Sequence, residues 1–183
     1  MDNLFSPYAD RLLGCWCAQL ETRPLSEWNP AQARCSFRFD QDEPTMGLAL
    51  LEDECRCGTA WVRVADWYIT SQNAFPGPDN TLDAQRCPTA WALVLELGIG
   101  RCPPIGDEKR LPAVAELNAF HQLMMEDAAS MRKAIYCCFG AVDPMDVFVL
   151  GQPRRTGPNG ACMQQSLPIT VMVVNCDECQ PES

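Results

Sequence analysis

The chain has 183 residues, of which 47% are hydrophobic and 21% charged, and this is the composition of a globular protein large enough to bury a hydrophobic core. Its formal net charge of −10 argues against a surface that holds nucleic acid through its phosphates. The chain shows no secretory signal pattern and no run near the roughly 20 apolar residues of a membrane helix, so we expect a cytosol-like compartment.

The first predicted element is a short amphipathic helix over residues 6–20. Ser6 suits the N-cap position and Pro7 the first helical turn, and apolar residues recur at helical spacing after them. Residues 21–54 are acidic and rich in proline, which predicts an irregular excursion with one short strand around the sequence CSFRF.

Two segments alternate with a period of two and predict strands over residues 59–70 and 90–101. In the first, strict alternation places Trp61 and Trp67 on one face, and Val62, Val64 and Tyr68 on the other. In the second, one face is strongly apolar and the other only lightly polar, which favours a central position in the sheet. Antiparallel pairing of the two strands would bring the start of the first close to Cys102.

The longest predicted helix covers residues 112–138. Pro112 suits its first turn, and one stripe of residues at spacings of three and four, which includes His121, runs along its length. Two further strands are expected at 146–150 and 167–175, separated by a segment rich in turn residues. The sequence therefore predicts a single α+β domain over residues 1–183. It contains a small, mostly antiparallel sheet of about four strands, one long helix packed on the sheet, an N-terminal helix and a short tail at 175–183.

Catalytic and cofactor motifs are scarce. His121 is the single histidine, and its place in the stripe favours a packed residue over a catalytic one. Neither a phosphate-binding glycine motif nor a Rossmann fingerprint is present, and the acidic pairs suit a solvated loop. We therefore expect neither an enzyme nor a cofactor.

Twelve cysteines are the most unusual feature of the sequence. Cys87 and Cys102 bracket one predicted strand and would lie roughly 50 Å apart if the run is extended, too far to pair with each other. The spacing leaves four alternatives open: buried thiols, disulfides with other partners, a metal site or, least favoured, a redox Cys-x-x-Cys motif at 176–179. A zinc site, less favoured than buried thiols or disulfides, would use four thiolates: Cys55, Cys57, Cys176 and Cys179.

Tryptophans on the predicted strands can stack single-stranded bases, but that mode also needs a basic groove. The one basic pair in the turn-rich segment is Arg154 and Arg155. Packing in the core or at a subunit interface is therefore the favoured interpretation for the tryptophans.

Several motifs resemble a family of neck proteins from long-tailed actinobacterial phages. The similarity lies in CRCGTAWVRV, CPTAWALVLELGIGRCPP, DAASMRKAIYCCFG and VLGQPRRTGPNGAC, and it covers about residues 55–174. The resemblance implies a structural virion protein, most specifically the tail terminator. Such a protein forms a hexameric ring between the head-completion stopper protein and the major tail tube protein, and phage DNA passes through its lumen unbound.

The resemblance also implies candidate residues, because a virion assembled in a reducing cytoplasm later works outside the cell, where thiols can oxidise. The disulfide candidates are Cys55, Cys57, Cys87, Cys102, Cys137, Cys138, Cys162, Cys176 and Cys179. The interface candidates are Trp61, Trp67, Phe75, Arg154 and Arg155, with the loop 71–88 and a hairpin over 151–166. The alternatives are the adjoining stopper protein or a cytosolic zinc-binding interaction module.

Overall fold

The computed structural model describes residues 2–23, 34–40, 59–81, 90–104, 111–140, 147–159 and 162–174. Within these residues the helices are α1 at Asp2–Glu21 and α2 at Val114–Ile135, the latter continuing into a π-helical turn at Tyr136–Gly140. The strands are β1 at Arg34–Asp40, β2 at Thr59–Thr70, β3 at Ala90–Arg101, β4 at Phe148–Leu150, β5 at Arg154–Asn159 and β6 at Cys162–Val173.

The strands form one sheet in the order β1-β2-β3-β6-β4, with β5 also paired to β6. The β1–β2 pair is parallel and every other pair is antiparallel. β4 and β5 pair with different parts of β6, so that two short strands complete its length. The predicted α+β class is confirmed. The sheet has six strands rather than about four, because the short strand expected around CSFRF joins the sheet as β1 and the turn-rich segment before β6 contributes β5.

A β-bulge overturns the predicted faces of β2. The pairing with β3 shifts register between Val64 and Asp66, so Ala65 is the extra residue and the side-chain alternation inverts after it. Trp67 consequently lies on the same face as Val64, opposite to the predicted assignment, and Tyr68 lies on the other. A strict period of two cannot reveal this inversion, because the bulge inserts one residue without breaking the strand.

The core lies between one face of the sheet and the two helices. α1 buries a stripe at spacings of three and four: Phe5, Ala9, Leu12, Trp16 and Leu20. This stripe begins at Phe5, which explains why the helix starts before the predicted N-cap and includes both Ser6 and Pro7. The sheet contributes alternate residues of its three longest strands: Ala60, Val62, Val64, Leu93, Leu95, Leu97, Ile99, Leu167, Ile169, Val171 and Val173.

α2 confirms the predicted long helix but not all of its buried stripe. Met124, Met131 and Cys138 are buried as expected, whereas His121 is exposed, so its predicted role as a packed residue is wrong. The buried side of α2 is rotated about the helix axis relative to the predicted stripe, because Phe120 and Asp127 also face inward. The backbone N–H of Ala113 donates to Glu116 Oε2 at 2.6 Å, and this contact caps the start of the helix.

Gly98 of β3 is enclosed by two tryptophans, one on each face of the sheet. The indole N–H of Trp16 donates to the Gly98 carbonyl oxygen at 3.3 Å from the side of the helices. On the opposite face, a Cβ added at Gly98 would overlap the indole ring of Trp61. The absence of a side chain at this position is therefore what allows the Trp61 ring to lie directly against the central strand.

We expect Gly98→Ala to lower the free energy of unfolding by about 1–3 kcal/mol, because the added methyl group must displace a buried indole ring. Gly100→Ala is the matched control, since a Cβ there meets only the Thr59 carbonyl oxygen, at 3.9 Å. Urea unfolding followed by tryptophan fluorescence measures both. Equal stability of the two variants would contradict the packing described here.

Candidate interaction surfaces

A disulfide joins the two helices of the core. Cys15 of α1 is bonded to Cys138 of the π-helical turn, with Cα atoms 6.0 Å apart and a sequence separation of 123 residues. The Arg11 guanidinium donates to the Cys138 carbonyl oxygen and lies over the Phe139 ring, 4.9 Å from its centroid. A disulfide, a hydrogen bond and a cation–π contact therefore hold the two helices together at this point.

Other cysteines differ in state. Cys17 and Cys102 are also disulfide-bonded, whereas Cys137 is a free, exposed thiol. Of the predicted disulfide candidates, Cys102 and Cys138 are therefore oxidised and Cys137 is not. Sequence reasoning missed Cys15 and Cys17, whose Cys-x-Cys spacing in an amphipathic helix was the available signal.

The predicted zinc ligands Cys55, Cys57, Cys176 and Cys179 lie outside the described residues, as does Cys87. Cys162 begins β6, and its side chain is likewise outside the description. Within the part of the chain that the structure describes, no group of three or more His, Cys, Asp or Glu side chains could hold a metal ion.

A buried ion network joins the helices to the sheet at a second point. Asp127 of α2 is fully buried and accepts two hydrogen bonds from Arg101 at the end of β3, at 2.9 and 2.8 Å. Arg23, just after α1, also pairs with Asp127 and reaches Glu126 at 3.0 Å. A buried carboxylate with two guanidinium partners avoids the cost of an unpaired charge. An acidic residue between apolar positions of the predicted stripe was the sequence signal for it.

The opposite face of the sheet carries a smaller polar network. Glu96 of β3 is nearly buried; it accepts a hydrogen bond from the Ser166 hydroxyl at 2.6 Å and pairs with Arg63 of β2. The Arg63 guanidinium also lies 6.0 Å from the centroid of the Trp61 ring. Three adjacent strands are therefore tied across this face by charge as well as by backbone hydrogen bonds.

The predicted interface residues fall into two groups. Trp61 is only 2% exposed and Trp67 packs against Phe5, with ring centroids 5.8 Å apart. The Trp61 ring is covered within its own chain, and this favours core packing, the other role that the sequence predicts for it. Arg154 and Arg155 are both exposed on β5, so they remain available to a neighbour.

The loop after β2 is held by polar contacts back to the sheet. The Thr70 hydroxyl donates to the Gly77 carbonyl oxygen at 2.7 Å, and the Tyr68 hydroxyl donates to the Pro76 carbonyl oxygen. Hydrogen bonds from Ser71 and Thr81 lower the pKa of Asp79. Phe75, an interface candidate, is half-buried in this loop. The described part of the predicted contact loop, 71–81, thus has a defined conformation.

Exposed apolar side chains lie at the start of α2, at Leu111, Val114 and Leu117, and in the π-helical turn, at Tyr136. Val147 and Val149 are also exposed, but strand alternation directs them to the face opposite Phe148, the residue that contacts Tyr136. A group of neighbouring exposed apolar residues marks a contact surface more often than isolated exposed residues do. Neither described helix is long and apolar enough to cross a membrane.

We expect Asp127→Asn to lower the free energy of unfolding by about 3–5 kcal/mol, because it leaves the Arg101 guanidinium buried beside a neutral group. Glu126→Gln makes the same chemical change one residue away on an exposed carboxylate, and there we expect a loss of about 1 kcal/mol or less. Chemical unfolding of both variants at neutral pH measures the difference. Similar losses in the two variants would contradict the buried network.

We expect Cys15→Ser to lower the free energy of unfolding by about 2–5 kcal/mol under oxidising conditions, because the Cys138 link no longer constrains the unfolded chain. Cys137→Ser removes a thiol without removing a bond and is expected to leave stability unchanged. Urea unfolding with and without reductant tests both variants. The prediction fails if the free energy of unfolding of Cys15→Ser is as far below that of the parent protein in reductant as it is without reductant.

Comparison with known proteins identifies no family. No protein-family model and no curated protein matches the chain. Two solved structures from Akkermansia muciniphila are similar to it at 12% identity. The match to the first, a crystal structure, covers 99% of this chain and 78% of that one, with a TM-score of 0.28. The second structure was determined without its transmembrane region. The match to it covers 100% of this chain and 86% of that one, with a TM-score of 0.26. Similarity at this level does not establish a shared fold.

Proposed function

We propose that the chain is a structural protein of a phage neck, the tail terminator, which forms a ring on the tail tube and performs no chemistry on a substrate. The observation that carries the proposal is the arrangement of elements. An N-terminal helix and one long helix lie side by side on one face of a mostly antiparallel sheet. This is the arrangement that the motif resemblance over residues 55–174 leads us to expect.

The two edges of the sheet differ, and this suits assembly through heterologous contacts. One edge of the sheet is β1, paired in parallel, and the other is made by the short strands β4 and β5. A closed ring needs heterologous contacts, in which two different surfaces of each subunit meet. Short, interrupted edge strands also discourage uncontrolled growth of the sheet from subunit to subunit.

The covalent and ionic bonds of the core suit a particle that must resist internal pressure. The helices are joined by the Cys15–Cys138 disulfide and by the network around Asp127. We infer that the thiols oxidise after the particle leaves the reducing cytoplasm, because reducing compartments disfavour structural disulfides. The oxidised neck would then be at its most stable in the extracellular particle.

The charge of the chain suits a conduit for DNA. A net charge of −10 per subunit becomes a large negative charge when copies form a ring. Repulsion between like charges then keeps DNA from adhering to the lumen as it passes. A strongly basic lumen would instead bind the phosphates and slow the passage.

The test is electron microscopy of particles that carry this chain with a small gold-labelled tag. We expect a ring at the junction of head and tail, and label on the head-proximal tip of free tails. Label on filled heads without tails would identify the adjoining stopper protein instead. Particles without label, or with a single copy at the neck, would overturn the proposal of a ring.

A further inference from the structure

Three exposed basic side chains lie along α2, and we call them the α2 basic stripe: Arg132, Lys133 and Arg155. The first two belong to the last turn of α2, and Arg155 reaches Met125 Sδ from β5 at 3.3 Å. Seven residues separate Met125 from Arg132, so the stripe extends over about 10 Å of the helix. Within the described part of the chain, no carboxylate pairs with any of the three cations.

The excess acid of this chain belongs to other segments. The described residues contain ten basic and ten acidic side chains, so the formal net charge of −10 comes entirely from the remainder of the sequence. Most of that charge lies in three segments, 41–58, 141–146 and 175–183, whose formal net charges are −4, −2 and −3. The α2 basic stripe is therefore complementary in charge to segments of its own chain.

β6 carries the chain to the end of α2 that bears two of these cations. Gln165, near the start of β6, donates to the Met124 carbonyl oxygen at 3.1 Å. Val171, near the end of β6, pairs with Phe148, whose ring centroid lies 5.7 Å from that of Tyr136, just after α2. β6 and α2 therefore run in the same direction. The chain leaves β6 three residues after Val171, about 10 Å beyond the level of Tyr136.

The 175–183 segment continues the chain from this point and lies outside the described residues. It contains the acidic pair Asp177 and Glu178, a third acid at Glu182, and no basic residue. Nine extended residues reach roughly 30 Å, and the return from the end of β6 to the level of Met125 takes about 26 Å. The acidic pair and Glu182 are about 13–16 Å apart in an extended chain, which suits the length of the stripe once the long arginine side chains are included.

We propose that the 175–183 segment turns back along α2 and pairs its carboxylates with the α2 basic stripe of the same chain. The acidic pair meets the two cations in the last turn of α2, and Glu182 meets Arg155. Charge-assisted hydrogen bonds between guanidinium and carboxylate groups then hold the segment, and the arginines are no longer open to phosphates. This inference goes beyond the proposed function and does not depend on it.

The other two acidic segments are less well placed to cover the stripe. Residues 141–146 are held at both ends, by Gly140 and by β4, so they extend at most roughly 12 Å from the end of α2. Met125, the contact of Arg155, is about 22 Å from Gly140 along the helix. Residues 41–58 begin after β1 and end at β2, and β3 separates these two strands from β6. Only the 175–183 segment starts beside α2 and is long enough to reach both ends of the stripe.

The test couples carboxylates to amines in the full chain with a water-soluble carbodiimide, which forms an amide only between groups in contact. Lys133 is the single lysine among the described residues, and Lys109 is the other lysine of the sequence. Mass spectrometry of the digested protein identifies which carboxylate is joined to Lys133. We expect an amide from Lys133 to Asp177 or Glu178. A mixture of 15N-labelled and unlabelled protein shows whether both ends of the amide come from one chain, as the proposal requires.

Charge reversal tests whether the stripe holds the segment. Arg132→Glu combined with Arg155→Glu keeps the Lys133 amine but replaces attraction by repulsion, so we expect the yield of the Lys133 amide to fall roughly fivefold or more. Arg154→Glu is the matched control, because it makes the same charge change on the opposite face of β5 and is expected to leave the yield unchanged. Circular dichroism verifies that each variant folds, and the coupling in the parent chain needs no substitution at all.

Three results would overturn the inference. The first is a parent chain in which Lys133 is joined to no carboxylate of the 175–183 segment, whether it stays free or couples to 41–58 or 141–146. The second is an amide found only between differently labelled chains, and the third is a folded double variant with an undiminished yield. None of these results bears on the ring at the neck, which the labelled particles test separately.

Discussion

Two connections between the helices hold the exposed surfaces of the molecule in fixed positions. The Cys15–Cys138 disulfide joins α1 to the end of α2, and the carboxylate of Asp127 joins α2 to Arg23 and Arg101. The connections lie roughly 12–16 Å apart along the helices, so the pair can neither rotate nor slide on the sheet. The exposed side of each helix is therefore held in a fixed position relative to the sheet.

The central strand transmits this rigidity through the sheet. β3 is buried over nearly all of its length, with aliphatic side chains toward the helices and the Glu96 network on the other face. Gly98 lets the Trp61 ring lie directly on the strand, while Trp16 reaches the same residue from the helix side. The two faces of the sheet are thus coupled at one residue, and the strand cannot change register without disrupting both.

The cysteines have more than one role, which explains why their number alone is hard to interpret. Cys15, Cys17, Cys102 and Cys138 are oxidised, and Cys138 is also part of the apolar core. Cys137 stays free although it is adjacent to a bonded cysteine, since consecutive helical side chains point about 100° apart and only Cys138 faces α1. Position on the helix, rather than spacing along the chain, decides which thiol is bonded.

Local pattern determined much of the secondary structure. The alternation over 59–70 and 90–101 was sufficient to place β2 and β3 with their bounds, and spacing of three and four was sufficient to find α2. These signals are local, because burial on one face imposes the period of the element on its own sequence. The same pattern indicated the α+β class and the apolar face of β3.

Only the tertiary structure decided which faces and which partners are used. The bulge at Ala65 inverts Trp67, a change that alternation cannot show, and the buried side of α2 includes Asp127 only because Arg23 and Arg101 meet it there. The Cys15–Cys138 bond spans 123 residues, and no spacing rule selects one pair among twelve thiols over such a distance. Contacts between distant segments depend on how whole helices and strands pack. That packing is determined by residues along the entire chain, and the sequence around the two contacting residues does not predict it.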